Sequence, residues 1–318
     1  MSNSSAIVTL TINPCLDISA EVDRVVPTKK LRCRNDRRDP GGGGINVSRA
    51  ISILGGDSTA VFPAGGSTGT AIADLLEKED ISCRIIEFDG ASRQSFAVRE
   101  LESQKQFRFA LPGPETGEKL WRKCLDEIGD IQPSPAYIVA SGSLPPGVPE
   151  DYYGKLADRF GDRDTKIVVD TSGEPLKKAL DQPVYLIKPN RRELEYVCDC
   201  SLEEEKIQEQ KCREMIKKGR CQVLVLTLGE QGALLTSRDE QLRVAGLDVE
   251  EVSAVGAGDS FVGALVLALQ QGRDLKKAFF YAMAAGTAAL TTAATELCRK
   301  EDTEKFYEKL LQEHGEKS

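Results

Sequence analysis

A chain of 318 residues with 42 basic and 50 acidic side chains carries a net charge of -8, which excludes a general nucleic-acid or membrane-surface binder and requires a local basic cluster for any anionic ligand. Hydrophobic residues at 40% and charged residues at 29% give the balance of one main globular domain, 1–318, with a small appendage. Nine cysteines without a paired CxxC framework read as reduced thiols of a cytoplasmic protein, and the opening MSNSSAIVTL has no secretory-signal pattern.

In chain order, Ile7 to Ile12 alternates as a strand and stops at Asn13-Pro14, which places Asp17 in the next turn. Lys30, Arg32 and Arg34 alternate within KKLRCRNDRR, so an extended strand points all three to one face. That pattern suits either a clamp for a phosphorylated ligand or a solvated edge. Gly41 to Gly44 then precede a helix whose buried stripe is Val47, Ile51 and Leu54. Bare backbone there admits a ligand, and Asn46 offers both a donor and an acceptor. The loop lacks the lysine and hydroxyl of a GxxxxGK[ST] phosphate loop and the acidic partner of a dinucleotide fingerprint.

From Arg93, Phe96 and Val98 on one side of Glu102 to Lys105, and Phe107, Phe109 and Leu111 on the other, predict a hairpin with one apolar face. With the 18–39 region, residues 93–112 form a lid sheet that suggests pairing with a second copy. The remainder alternates strands and helices as in a parallel sheet. Its strands are Tyr137–Ala140 before SGSLPPG, Lys166–Asp170 before TSGE, Val184–Ile187 before KPNRREL, and Val223–Leu228 before GEQG. Ligands gather at the carboxyl ends of such strands, which brings Ser143, Lys188, Asn190, Arg192, Glu193, Gly229 and Gly232 to one edge. Cys198 and Cys200 lack the further ligands of a zinc site.

AVGAGDSFVG, Ala254 to Gly263, places Asp259 at a helix start behind Gly256, Ala257 and Gly258, with Val262, Leu265, Val266 and Leu269 as a single buried face. A helix N-terminus binds phosphate oxygens, and a carboxylate beside it meets a hydroxyl, although a capping role alone fits as well. Ala278 to Ala294, broken by Gly286, Thr287, Thr291 and Thr292, fits a buried helix pair better than a membrane span. The single histidine, His314, stands near the C-terminus, so Ser-His-Asp and Cys-His hydrolase schemes are excluded and a general base is a carboxylate or lysine.

GGGGINVSRA together with VGAGDSFVGA resembles the ribokinase-like sugar kinases of the pfkB family over nearly the whole chain. NPCLD, KLRC, FPAGGSTG, SRQS and SGSLPPGV are similar to its bacterial 6-phosphofructokinase branch. The resemblance implies an α/β ribokinase-like fold, a mostly parallel central sheet flanked by helices with a small β lid. It also implies transfer of phosphoryl from ATP to the C1 hydroxyl of fructose 6-phosphate.

On the same ground, Asp259 is the base, and the amides of Ala257 and Gly258, behind Gly256, stabilise the moving phosphoryl group. Asp17, Gly42, Gly43, Asn46, Arg93 and Ser143 bind the sugar. Lys30 and Arg32 contact its phosphate across a homodimer formed through the lid. Lys188, Asn190, Arg192, Thr227, Gly229 and Gly232 hold the nucleotide, Glu193 is linked to the Mg2+ shell, and Ser253 and Val255 offer oxygens to K+. Kinases of tagatose 6-phosphate and fructose 1-phosphate are the near alternatives, and a non-catalytic sugar or nucleotide sensor is the alternative of another class. One departure from the family pattern is TTAATELC, with Thr292, Ala294 and Glu296 beside the expected cation and nucleotide pocket.

Overall fold

The computed structural model describes residues 7–161, 164–293 and 296–314. Its strands are β1 (Ile7–Leu10), β2 (Cys15–Val22), β3 (Arg34–Gly41), β4 (Thr59–Ala64), β5 (Ser82–Glu87), β6 (Arg93–Glu100), β7 (Gln106–Ala110), β8 (Tyr137–Ser141), β9 (Lys166–Asp170), β10 (Val184–Ile187), β11 (Cys221–Thr227), β12 (Ala233–Ser237) and β13 (Gln241–Val244). The helices are α1 (Gly43–Ile53), α2 (Gly66–Lys78), α3 (Glu118–Gly129), α4 (Tyr152–Phe160), α5 (Gly173–Ala179), α6 (Arg191–Cys198), α7 (Glu205–Lys217), α8 (Ala257–Gln270), α9 (Leu275–Leu290) and α10 (Lys300–His314).

Nine strands form one sheet in the order β13-β12-β11-β10-β9-β8-β1-β4-β5, and only the β11-β12-β13 end runs antiparallel. The central strands are near-continuous apolar runs because helices cover both faces and alternate side chains enter opposite cores. Val139 and Val168 pack with α8 and α9, whereas Ile138, Ala140, Ile167 and Val169 pack with α3 and α4. The fold is α/β, with a mostly parallel central sheet between helix layers and a separate small sheet. Among the described residues no helix is long and apolar enough to cross a membrane.

The smaller sheet has the order β3-β2-β6-β7, with β2 and β6 parallel and β6-β7 the expected hairpin. Register sorts its two faces. Asp17 pairs with Asp39 and Ser95, and Ser19 with Arg37 and Ala97, giving a polar face. Ile18 pairs with Phe96 and Phe96 with Phe109, giving an apolar one on which Phe109 is 55% exposed.

Several expectations are corrected here. Asp17 lies inside β2 rather than in a turn, because the chain straightens again at Cys15. Lys30 and Arg32 lie in the exposed segment between β2 and β3, where no partner strand pairs with them, and only Arg34 joins β3. Helix α8 is buried from Ser260 to Ala268 rather than along one stripe, because it is packed between α1 and α9. A Cβ on Gly263 would lie 3.0 Å from Ala50 Cβ, which shows how closely α1 and α8 approach. The 278–294 stretch is one helix, α9, and ends at Leu290 instead of forming a pair; Ala294 lies outside the described residues.

Arg49 of α1 fastens three elements. Its guanidinium donates to both Glu79 oxygens at 2.7 and 2.9 Å and to Pro40 O at 3.3 Å, and stands 3.6 Å from Asp39. Removing the buried guanidinium leaves Glu79 without this partner and the buried Asp39 with Arg37 as its remaining ion-pair partner. We therefore predict that Arg49→Ala lowers unfolding free energy by roughly 2 to 4 kcal/mol in urea titrations. An unchanged midpoint would rule out this network as a structural fastening.

Candidate active site

The residues that converge do so at strand ends and helix starts, as chain direction dictates for a parallel sheet. Gly256, in the left-handed region at φ 78°, caps α8, and Asp259 lies in its first turn. The positive φ favours glycine there, and a Cβ would come within 2.4 Å of Leu297 Cδ2, so the leucine would have to shift. The Ala257 N–H makes only a long turn bond of 3.4 Å to Ala254 O, which leaves the helix tip short of acceptors.

Asn46, from α1, donates its Nδ2 to Asp259 Oδ2 at 2.9 Å. Its Oδ1 is buried without a hydrogen-bond partner. Lys188, just past β10, pairs with Asp170 at 3.2 Å and lies beside the α8 tip, 3.4 Å from where a Cβ on Gly258 would stand. Desolvation, reinforced by the Asp170 charge, pushes the Asp259 carboxyl up to about 6, against the opposing pull of Asn46 and Lys188. Burial alone would lower the Lys188 ammonium, but Asp170 and Glu193 raise it above the usual lysine range.

The glycine run is placed by close packing. Gly42 has φ 114°, and a Cβ on Gly43 would meet Ser141 Oγ at 2.2 Å, so α1 starts directly against the β8 end. Ser143 follows β8 and accepts from Asn13 Nδ2 at 3.2 Å. Asp17 stands on the polar lid face, its carboxyl raised by desolvation and held back by Cys15, Arg93 and Arg108. Arg93 donates its Nε to Asn13 O at 3.4 Å.

On the other side of Lys188, Asn190 caps α6 in a reciprocal capping box. Asn190 N donates to Glu193 Oε2 at 2.8 Å, and Glu193 N donates to Asn190 Oδ1 at 3.0 Å. The box occupies one polar atom of each side chain, and each retains a second. Thr227 N bonds Pro189 O at 3.0 Å, which docks the β11 end on that turn. Gly229 and Gly232 take φ 61° and 90° around the following turn.

One pair of predicted residues does not join this cluster. Lys30 and Arg32 are exposed on the β2-β3 connection, and Arg192 is exposed on α6. Ser253 is buried with its Oγ accepting from Val255 N at 3.2 Å, and Val255 lines a recess with Asp17 and Arg108. In the departing segment, Thr292 is buried and donates its hydroxyl to Ala289 O and Leu297 O, while Glu296 accepts from Arg37 of β3 at 2.9 Å.

Sequence reading missed Asp170 and Arg108. Asp170 is the last residue of a correctly placed strand, and its position at the carboxyl edge was the available signal. Arg108 pairs directly with Ala97 on the polar lid face, a placement that depends on the pairing of β7 with β6.

A parallel sheet with these strand-end groups under a separate lid is the architecture of ribokinase-like kinases, and Arabidopsis thaliana ribokinase shares the fold at TM-score 0.76 and 16% identity over 95% of this chain and 98% of that one. Residues 9–302 match the pfkB family carbohydrate kinases, and the chain belongs to that family. It is 45% identical over 302 residues to the ATP-dependent 6-phosphofructokinase isozyme 2 of Mycobacterium tuberculosis, covering 95% of this chain and 89% of that protein. Against the Escherichia coli protein of the same name it is 38% identical, covering 95% and 97%. The crystal structure of phosphofructokinase-2 from Escherichia coli in complex with potassium superposes at TM-score 0.92 and 37% identity over 96% of this chain and 99% of that one.

The raised Asp259 carboxyl has a sign that can be checked. Above about pH 6 the folded protein holds this group ionised against its preference, so its contribution to stability improves as pH falls through 6 toward the ordinary carboxylate value of 3.8. Asp259→Asn should therefore raise the melting temperature at pH 8, with the advantage shrinking toward pH 4. A carbon-detected titration should place Asp259 near 6, and lower in Asp170→Asn. A midpoint near 4 in the unsubstituted protein would contradict this electrostatic account.

Proposed function

We propose that the protein is an ATP-dependent 6-phosphofructokinase of glycolysis, working in the cytoplasm, that transfers the γ-phosphoryl of ATP to the C1 hydroxyl of fructose 6-phosphate and yields fructose 1,6-bisphosphate. The observation that carries this reading is Asp259, raised to about 6, held by Asn46 at a glycine-capped helix tip with Lys188 alongside. Asp259 takes the hydroxyl proton as the O–P bond forms and ADP leaves. A carboxylate suffices, since phosphoryl transfer depends mainly on positioning and charge stabilisation.

The amides of Ala257 and Gly258 face charge on the phosphoryl oxygens, and Lys188 supplies the nearest fixed positive charge. Asp17, Asn46, Ser143 and the backbone of Gly42 and Gly43 orient the sugar, and Arg93 with Arg108 meets its phosphate. Asn190, Arg192, Thr227, Gly229 and Gly232 border the nucleotide. Mg2+ bound with ATP would neutralise phosphate charge, and the Glu193 oxygen outside the capping box would be placed for its water shell. Ser253 and the Val255 backbone are the K+ candidates, in keeping with the potassium complex of the Escherichia coli enzyme.

The apolar lid face around Phe96 and Phe109 supports a homodimer formed through the lid, which would bring Lys30 and Arg32 of one copy to the sugar phosphate of the other. Sedimentation of a Phe109→Glu variant as a monomer, with a raised KM for the sugar phosphate, is the expected result.

A coupled ADP-release assay over fructose 6-phosphate, tagatose 6-phosphate and fructose 1-phosphate should give the highest kcat/KM with the first. A preference for either of the others would reassign the acceptor, and no activity with any would favour a sensor. Asp259→Asn should lower kcat by about two to four orders of magnitude with substrate affinities little changed. Arg93→Ala should raise the KM for the sugar phosphate about tenfold or more and leave that for ATP nearly unmoved, as for loss of a charge-assisted contact.

A further inference from the structure

We infer that Cys15 is a positioning residue of the sugar site: its buried thiol donates a hydrogen bond to Oδ1 of Asp17 and fixes the carboxylate for the acceptor sugar. The inference rests on the proposed kinase function. Cys15 and Asp17 stand two residues apart on β2, so both side chains project from the same face of the lid sheet. The Sγ lies 2.7 Å from Oδ1, and Cys15 is 3% exposed.

The other carboxylate oxygen is confined from the opposite side. A Cβ on Gly41, paired with Cys15 across β3, would fall 2.1 Å from Asp17 Oδ2, so the carboxylate occupies the space that glycine leaves bare. A donor on one oxygen and naked backbone against the other restrict the carboxylate, and Asp17 lines a recess with Ser95, Arg108 and Val255.

The charged groups around Asp17 act differently. Arg93 on β6 and Arg108 on β7 favour its ionised form, Asp39 on β3 opposes it, and Asp259 on α8 is coupled to it by charge repulsion. Arg93 has its Nε directed at Asn13 O. The hydrogen bond to the Asp17 carboxylate comes from the thiol, which burial and the Asp17 charge keep protonated and therefore a donor. Cys15 here is thus a polar group in use, not a reactive thiol.

The test compares Cys15→Ala, which removes the donor, with Cys15→Ser, which keeps one. Cys15→Ala should raise the KM for fructose 6-phosphate about tenfold, the scale of one hydrogen bond to a charged group, while kcat and the KM for ATP stay within about twofold. The pH below which sugar affinity fails should also move upward, because an unsupported carboxylate protonates sooner, and Cys15→Ser should restore both properties. In an Asp17→Asn background the Cys15→Ala effect should largely vanish. An unchanged KM in Cys15→Ala, equal damage from Ser and Ala, or additive effects with Asp17→Asn would each overturn the inference.

Should Cys15→Ala fail to fold, Cys15→Ser decides alone: a KM at or below that of the unsubstituted protein supports the inference, and a tenfold rise defeats it. A carbon-detected titration of Asp17 in the substrate-free protein gives a separate readout. An upward shift in Cys15→Ala establishes the thiol contact even if no sugar phosphate proves to be a substrate, and no shift refutes it.

Discussion

The constraint on which the site depends is a carboxylate kept ionisable at a half-buried helix tip where solvent supports it only in part. Asp259 lies at the start of a helix buried over most of its length, so the peptide dipoles and the Asn46 amide must do what water does elsewhere. Neither fully offsets the desolvation, and the group settles at about 6 instead of 3.8. A proton acceptor near neutrality and a strained, stability-lowering residue are here the same fact.

The surrounding charges look arranged to hold that balance. Lys188 pulls the Asp259 carboxyl down and Asp170 pushes it up, both on top of the larger effect of burial. Paired at 3.2 Å, they act as a dipole with the ammonium beside the α8 tip. The lysine is 7% exposed, and a buried ammonium without such a partner would tend to lose its proton. Asp170 therefore secures the charge of Lys188, and that charge meets a phosphoryl group that Asp259 by itself would repel.

Much of this was legible in the sequence because it is written in short-range chemistry. β9 and β10 fall at Lys166–Asp170 and Val184–Ile187 as read, since buried parallel strands are short apolar runs ending in turn residues. The glycine-capped start of α8 and the β6-β7 hairpin were visible for similar reasons. What failed was whatever depended on a partner the sequence does not name. Lys30 and Arg32 alternate like a strand, yet no neighbour offers them a ladder, and the regular pairing of β3 begins only at Arg34. The all-round burial of α8 follows from α1 and α9 packing on it, and a single stripe of apolar spacing cannot report two neighbours. Arg108 became a site residue only through its register beside Ala97.

The departing segment after α9 shows how a local change in sequence can touch both halves of the cleft. Glu296 bonds Arg37 of the lid, Arg37 also bonds the buried Asp39, and Asp39 lies beside Arg49 of α1. The next residue, Leu297, packs against Gly256, and Cys298 N bonds Ser260 Oγ within α8. An exposed ion pair such as Arg37–Glu296 contributes at most about 1 kcal/mol by itself. Its effect here comes from what it joins: Asp39 fixes the guanidinium in advance, and the loop it grips is already wedged under the helix tip. The polar face of the lid and the start of α8 are therefore held through one set of contacts, so a lid displaced from the cleft would have to break the link that also braces Asp259.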